Sequence, residues 1–118
     1  MRDERSRAES VLSVEVRRAG SGLVVVRVLG EVDLLTAPRL AEALSRHSVP
    51  CIADLSGVDF FGAAGLEALA KAQRAGTVLH VVCGASVRRL LELTGMSADV
   101  RVHGSLAEAE LALGFPPG

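Results

Sequence analysis

The chain has 118 residues, 49% hydrophobic and 23% charged, with three Phe and neither Tyr nor Trp, which suits one domain with an aliphatic core and excludes two. A formal net charge of −1, with no basic run interleaved with aromatics, argues against nucleic acid and against an anionic membrane surface as partners. No apolar run reaches the length of a membrane span and the first residues lack the apolar core of a signal peptide, so the expected compartment is the cytoplasm.

Residues 1–10 are polar and predict a tail, the domain running from 11 to 114 and a second tail from 115 to 118. Leu12, Val14 and Val16 alternate with Ser13, Glu15 and Arg17 in the period of a half-buried strand. Ala19-Gly20-Ser21-Gly22 is a turn, and Leu23 to Leu29 is apolar enough for a central strand, closing a hairpin. Thr36 is placed to cap a helix whose stripe is Ala37, Leu40, Ala41 and Leu44, with Pro38 in the first turn where a missing N–H costs nothing. Cys51 to Leu55 predicts a short buried strand. Ala63 to Ala75 predicts a helix ended by Gly76. Thr77 to Cys83 reads as an apolar strand broken only by His80. A short helix follows from Val87 to about Leu93, capped by Ser86, with Val87, Leu90 and Leu91 on its stripe. Val100 to Val102 predicts an edge strand. Ser105-x-x-Glu108 has the spacing of a capping box and opens a last helix ending near Leu113. Cys51 and Cys83 fall inside strands and read as reduced core residues rather than a disulfide. Strands alternating with helices after a hairpin predict an α/β fold, a mixed sheet with helices packed against it.

Catalytic constellations are missing from the pattern, and the expected class is not an enzyme. His47, His80 and His103 fit no zinc spacing, and His80 in an apolar strand reads as a hydrogen-bonded cross-sheet residue. There is no Gly-x-Ser-x-Gly elbow. Asp54 and Asp59 read as turn stabilisers rather than paired acid–base carboxylates. Gly62-x-x-Gly65 lacks the Lys and Ser/Thr of a phosphate-binding loop. No cofactor and no metal are expected.

Two segments remain. Asp54-Leu55-Ser56-Gly57-Val58-Asp59-Phe60-Phe61-Gly62-Ala63-Ala64-Gly65-Leu66 reads as strand, turn and helix start. A helix opening near Ala63 leaves unpaired N–H groups at the positive end of its dipole. Gly62 is a tolerable cap there, while small residues open the backbone to a close partner or an anion, or allow close packing of helix on sheet. The other segment is Gly30-Glu31-Val32-Asp33-Leu34-Leu35-Thr36-Ala37. Asp33 and Thr36 suit a helix cap. Leu34 and Leu35 are expected to enter the core, the alternative being that one is exposed as an apolar contact for a partner.

Taken together, the segments resemble those of the STAS domain family, bacterial anti-sigma factor antagonists. There an Asp-Leu-Ser-x-Val-x-Phe run leads into an Asp-Ser-Ser-Gly or Asp-Ser-Thr-Gly loop, and a Gly-Glu-Leu-Asp-x-x-Thr-Ala segment precedes it. The first Ser of that loop is the family's phosphate acceptor. Here Gly62 stands for the Asp, Ala63 for the acceptor, Ala64 for the second hydroxyl, and Gly65 is retained. The resemblance implies a STAS-like single domain that captures a kinase-type anti-sigma factor and so frees a sigma factor, with phosphorylation control at position 63 lost. It implies a partner surface of Asp33, Leu35, Thr36, Ser56, Gly62, Ala63, Ala64 and Gly65. A weak homodimer is a further expectation. The competing readings are a module sensing a nucleotide or small anion, with Arg39 or Arg88 facing the loop, and a scaffold subunit of a stress-signalling complex.

Overall fold

The computed structural model of the chain describes residues 12–45 and 47–115; the tail expected over 1–10 and residues 116–118 lie outside them. β1 (Leu12–Ala19) and β2 (Leu23–Val32) form the predicted hairpin, running from the pair Ala19 and Leu23 to the pair Leu12 and Gly30. Gly20, at φ 62°, supplies the left-handed residue the connection needs. β3 (Cys51–Phe61), β4 (Leu79–Val82) and β5 (Arg101–His103) then add in chain order, each parallel to the strand before it.

Chain order decides where the helices go. Parallel crossovers are right-handed, and three that all step the same way must all cross on the same face. α1 (Ala37–Leu44), α2 (Ala63–Arg74) and α3 (Ala85–Leu93) accordingly share one core, in which Leu40, Leu44, Leu69 and Leu91 meet Val24, Val26, Val28, Ala53, Leu55 and Val81. α4 (Leu106–Ala112) comes after the last strand and covers the opposite face, where Ala109 packs with Leu23, Val25, Ile52 and Val82. The result is the mixed α/β sheet expected, with helices on both faces.

Several boundaries depart from the sequence reading. β3 does not stop at Leu55 but runs to Phe61. Its register against β2 shifts twice, between the positions facing Arg27 and Leu29 and again between those facing Gly30 and Glu31, so the polar residues Ser56 and Asp59 are absorbed as bulges instead of making a turn. α3 begins at Ala85 with Gly84, not Ser86, at its N-cap, and Leu90 is only half-buried. The last helix does open on its box: the Ser105 hydroxyl accepts from the Glu108 N–H at 3.1 Å, and Glu108 accepts from the Gly104 N–H at 3.0 Å. Phe115, expected in a tail, is half-buried and packs against the second core, its N–H donating to the Glu110 carbonyl at 2.8 Å. Cys51 and Cys83 are free and buried, and burial pushes the Cys51 thiol up to about 12, which leaves it unreactive.

Candidate functional site

β2 and β3 are parallel, so both deliver their outgoing turns to the same end of the sheet. Val32 is in register with Phe61, and the Gly62 N–H donates to the Val32 carbonyl at 3.1 Å. The two segments singled out from the sequence are therefore tied together by a backbone bond.

The first turn is a polar frame around an apolar tip. Asp33 Oδ1 accepts from the Leu35 and Thr36 N–H groups, both at 3.0 Å. The Thr36 hydroxyl accepts from the Asp33 N–H at 2.9 Å and donates to the Glu31 carbonyl at 2.8 Å. Thr36 is thus not the forward cap expected: it makes no side-chain bond to α1. Its hydroxyl is turned back into the strand end and buried, at 4% exposure. The capping role falls to Asp33, whose carbonyl also receives the Ala37 N–H at 2.9 Å. The Thr36 N–H above all, with the Thr36 hydroxyl and the Leu35 N–H, holds the Asp33 carboxyl below its ordinary 3.8. A carboxylate depressed in this way stabilises the fold above 3.8 and loses that contribution as pH falls through its lowered value.

The frame leaves Leu34 and Leu35 nowhere to go but outward. Each is 81% exposed, which corrects the expectation of two core residues: the inward direction at this turn is taken by Thr36.

The second turn is bare. Gly62 is the N-cap of α2, in extended backbone, and no side chain caps the helix. Ala63 is exposed and Ala64 half-buried. Gly65 is buried because Phe61 lies beneath it: a Cβ added there would stand 2.7 Å from the ring. A groove of about 550 Å³ runs from this mouth between α1 and α2, with Leu34, Pro38 and Ala41 on one wall and Ala64, Glu67 and Lys71 on the other.

Phe60 belongs to the same end and was missed. It is 53% exposed, and its ring would be 3.1 Å from a Cβ placed on Gly62. The signal was in the sequence: successive residues of a strand point to opposite faces, so with Phe61 under α2, Phe60 had to leave that core.

Ser56 is not brought to this end. It lies mid-strand, six positions before Gly62, with its hydroxyl donating to Asp54 at 2.6 Å and its N–H to the same oxygen at 3.1 Å. Asp54, expected beside a turn, lies inside β3 in a polar recess with Glu15, Arg17 and Arg27. Of the two arginines considered for an anion, Arg39 donates to the Leu12 carbonyl at 3.0 Å, and Arg88 lines a separate recess with Glu92, Asp99 and His103. His80 takes the cross-strand role: its Nδ1 is 3.0 Å from His103 Nε2, the rings stacked with centroids 5.2 Å apart. Burial first, then the charges of His103 and Arg101, hold His80 below its ordinary value. Among the described residues no group of three or more His, Cys, Asp or Glu side chains gathers to hold a metal, and no helix is long and apolar enough to cross a membrane.

Comparison with known proteins bears on the fold that carries this site. A model of the STAS domain matches residues 14–109. The anti-sigma-F factor antagonist RsfB of Mycobacterium tuberculosis is 32% identical, over 75% of this chain and 80% of that protein. The crystal structure of an anti-sigma factor antagonist from Mycobacterium paratuberculosis is 33% identical and superposes with a TM-score of 0.77, over 87% of this chain and 94% of the other. The anti-sigma factor antagonist SpoIIAA in its unphosphorylated form shares the fold alone, at 12% identity and a TM-score of 0.64 over 86% of this chain and 97% of that one.

Proposed function

The chain belongs to the STAS domain family, and on that premise we propose that it is an anti-sigma factor antagonist, a non-enzymatic protein that captures a kinase-type anti-sigma factor and releases a sigma factor. The observation that carries the reading is the end of the sheet where Leu34 and Leu35, 81% exposed on a hydrogen-bonded frame, stand beside a helix mouth with no side chain across it. Exposed leucines held rigid lose little entropy when a partner covers them, and a bare mouth admits a close backbone approach. Asp33 and Thr36 position the surface; Leu34, Leu35, Phe60, Ala63 and Ala64 make it. Gly62 and Gly65 fix its shape, and Ser56 stands outside it.

Control by phosphate at the helix mouth is lost in this chain, as the departure at position 63 implies. Ala63 has no oxygen to accept a phosphoryl group. The Thr36 hydroxyl, in the neighbouring turn, is buried, accepts from the Asp33 N–H and donates to the Glu31 carbonyl. On this reading capture is not switched by phosphate at the helix mouth, and is either constitutive or set by the amount of the protein or by another ligand.

Titration calorimetry against an anti-sigma factor from the same cell tests the assignment. Ala63→Glu, exposed and therefore compatible with folding, is expected to weaken binding at least about tenfold, since a charge must then be desolvated in the interface. Unchanged affinity in a variant with native circular dichroism would remove the helix mouth from the interface.

A further inference from the structure

The sheet has two edges, and they are unlike. β5 offers three residues, whereas β1 offers eight. β1 holds eight consecutive pairs with β2 without a register shift, and it contains no proline. Among the described residues no strand pairs with its other side. Open edges of that length are usually blunted by prolines, bulges or covering loops, because their free N–H and C=O groups pair with any strand that fits. Next to the edge Val16 is 53% exposed, at a groove of about 390 Å³ shared with Val14, Arg39, Ala43 and His47.

We propose that β1 pairs antiparallel with β1 of a second copy, about a two-fold axis passing beside Val16. Symmetry, strand length and charge together select the register. A two-fold axis perpendicular to the sheet places one residue opposite itself, so the allowed registers are centred on single residues. Centring on Ser13 or Val14 leaves most of the arginine-bearing half of β1 unpaired, centring on Glu15 sets two carboxylates face to face, and centring on Arg17 or Arg18 does the same with two guanidinium groups. Centring on Val16 sets Glu15 of each copy opposite Arg17 of the other, twice, and Val16 against Val16. Glu15 and Arg17 point to the same face, their β2 partners being Arg27 and Val25. Opposite charges directly across an antiparallel pair stabilise it, and like charges destabilise it. Arg17 already forms an ion pair with Glu110 at 3.9 Å, but its side chain stays 54% exposed, so the guanidinium can meet a second carboxylate across the edge.

The joined edges give one continuous sheet through both copies. Because the two β1 strands are antiparallel, the ends carrying Leu34 and the Gly62 mouth face opposite ways, so each copy holds its own partner without collision. An interface built from one strand edge and one valine is small against the ~1,600 Å² of a standard complex, and it forms at micromolar concentrations rather than nanomolar ones.

Sedimentation velocity of the full chain over a concentration series tests this. The wild type is expected to show a monomer–dimer equilibrium. Glu15→Arg and Arg17→Glu, each alone, should weaken it about tenfold or more, since both symmetric pairs turn repulsive. Mixed with each other, the two variants should associate as a heterodimer, and the double swap in one chain should restore self-association. Arg17→Glu also sets a carboxylate near buried Glu110, so Val16→Glu, which puts like charges on the axis, serves as an independent arm and should abolish the dimer. A wild type that stays monomeric to the solubility limit, single variants that dimerise as well as the wild type, or folded variants that fail to associate on mixing would each overturn the proposal.

Discussion

Asp33 to Thr36 and Gly62 to Gly65 are the same kind of junction, a strand leaving the sheet for a helix, and they are held by opposite means. The first is fixed by side-chain oxygens: one carboxylate and one hydroxyl take up the turn's N–H groups and the Glu31 carbonyl. The second is fixed by shape, with backbone bonds from Gly65 and Leu66 to the Gly62 carbonyl and a Phe61 ring filling the space where a Gly65 side chain would be. A polar frame can carry apolar residues on its outside, because the bonds that would have to break hold the turn open. A frame of packed glycines carries only the small side chains of Ala63 and Ala64 on its outside. The two junctions therefore give this end of the molecule a ridge and an opening side by side.

The contrast is broken most severely at Gly65. Replacing it with Val forces atoms into the Phe61 ring, which a Cβ alone already approaches to 2.7 Å, and the expected loss is about 3 kcal/mol in urea unfolding. Pairing Gly65→Ala with Phe61→Leu should recover part of the corresponding loss. If Gly65→Ala were as stable as the wild type with Phe61 intact, shape would not be what holds this junction.

At the polar junction the corresponding change is Thr36→Val, nearly isosteric at a position only 4% exposed. It strips the partner from the Glu31 carbonyl and from the Asp33 N–H, and should cost about 1–3 kcal/mol. Hydrogen exchange at the Leu35 and Thr36 amides reports whether the turn itself has loosened. A variant that unfolds earlier yet keeps those amides protected would place the loss in the core rather than in the frame.

How far the sequence could be read is clearest at these same residues. Period and caps located the hairpin, α1, α2, and the Ser105 box, since each is a local pattern with a local cause. The direction of Leu34 and Leu35 was not local. Apolar residues in a short turn read as core, and what overrides that is a threonine buried by its hydrogen bonds to Glu31 and Asp33, a fact of the β2 exit rather than of composition. Ser56 misled for a related reason. Ser-Gly after a buried run has the chemistry of a turn, but here the Asp54 carboxylate takes the Ser56 N–H and lets β3 carry the extra residue as a bulge and continue. Phe115 could not be placed because its ring lies over the β1–β2 turn, filling the space where side chains on Gly20 and Gly22 would stand, a segment far from it in sequence. For the candidate site, the motifs found the junctions, while Phe60 followed only from strand alternation.

The smallest effect sharpens the comparison from the other side. Gly62→Ser supplies a capping hydroxyl to α2 and should gain a few tenths of a kcal/mol. The gain is set against a Cβ that meets the Phe60 ring at 3.1 Å; since Phe60 is exposed and free to give, the net change in melting midpoint should be close to zero. A shift equivalent to ~1 kcal/mol in either direction would mean that the mouth is held by more than its backbone.

The strand order, identical to chain order, bears on how the molecule is made. Each strand emerging from a ribosome finds its neighbour already in place, so the sheet grows at one side only and never waits for a strand to be inserted between two others. The face covered by α4 is the exception. Leu23, Val25 and Ile52 are synthesised early, yet their cover, Ala109 with Phe115 beside it, comes from the last part of the chain. A nascent or truncated product ending before α4 therefore carries a wet apolar face, and it is that intermediate, more than the finished protein, that a chaperone or a protease would meet.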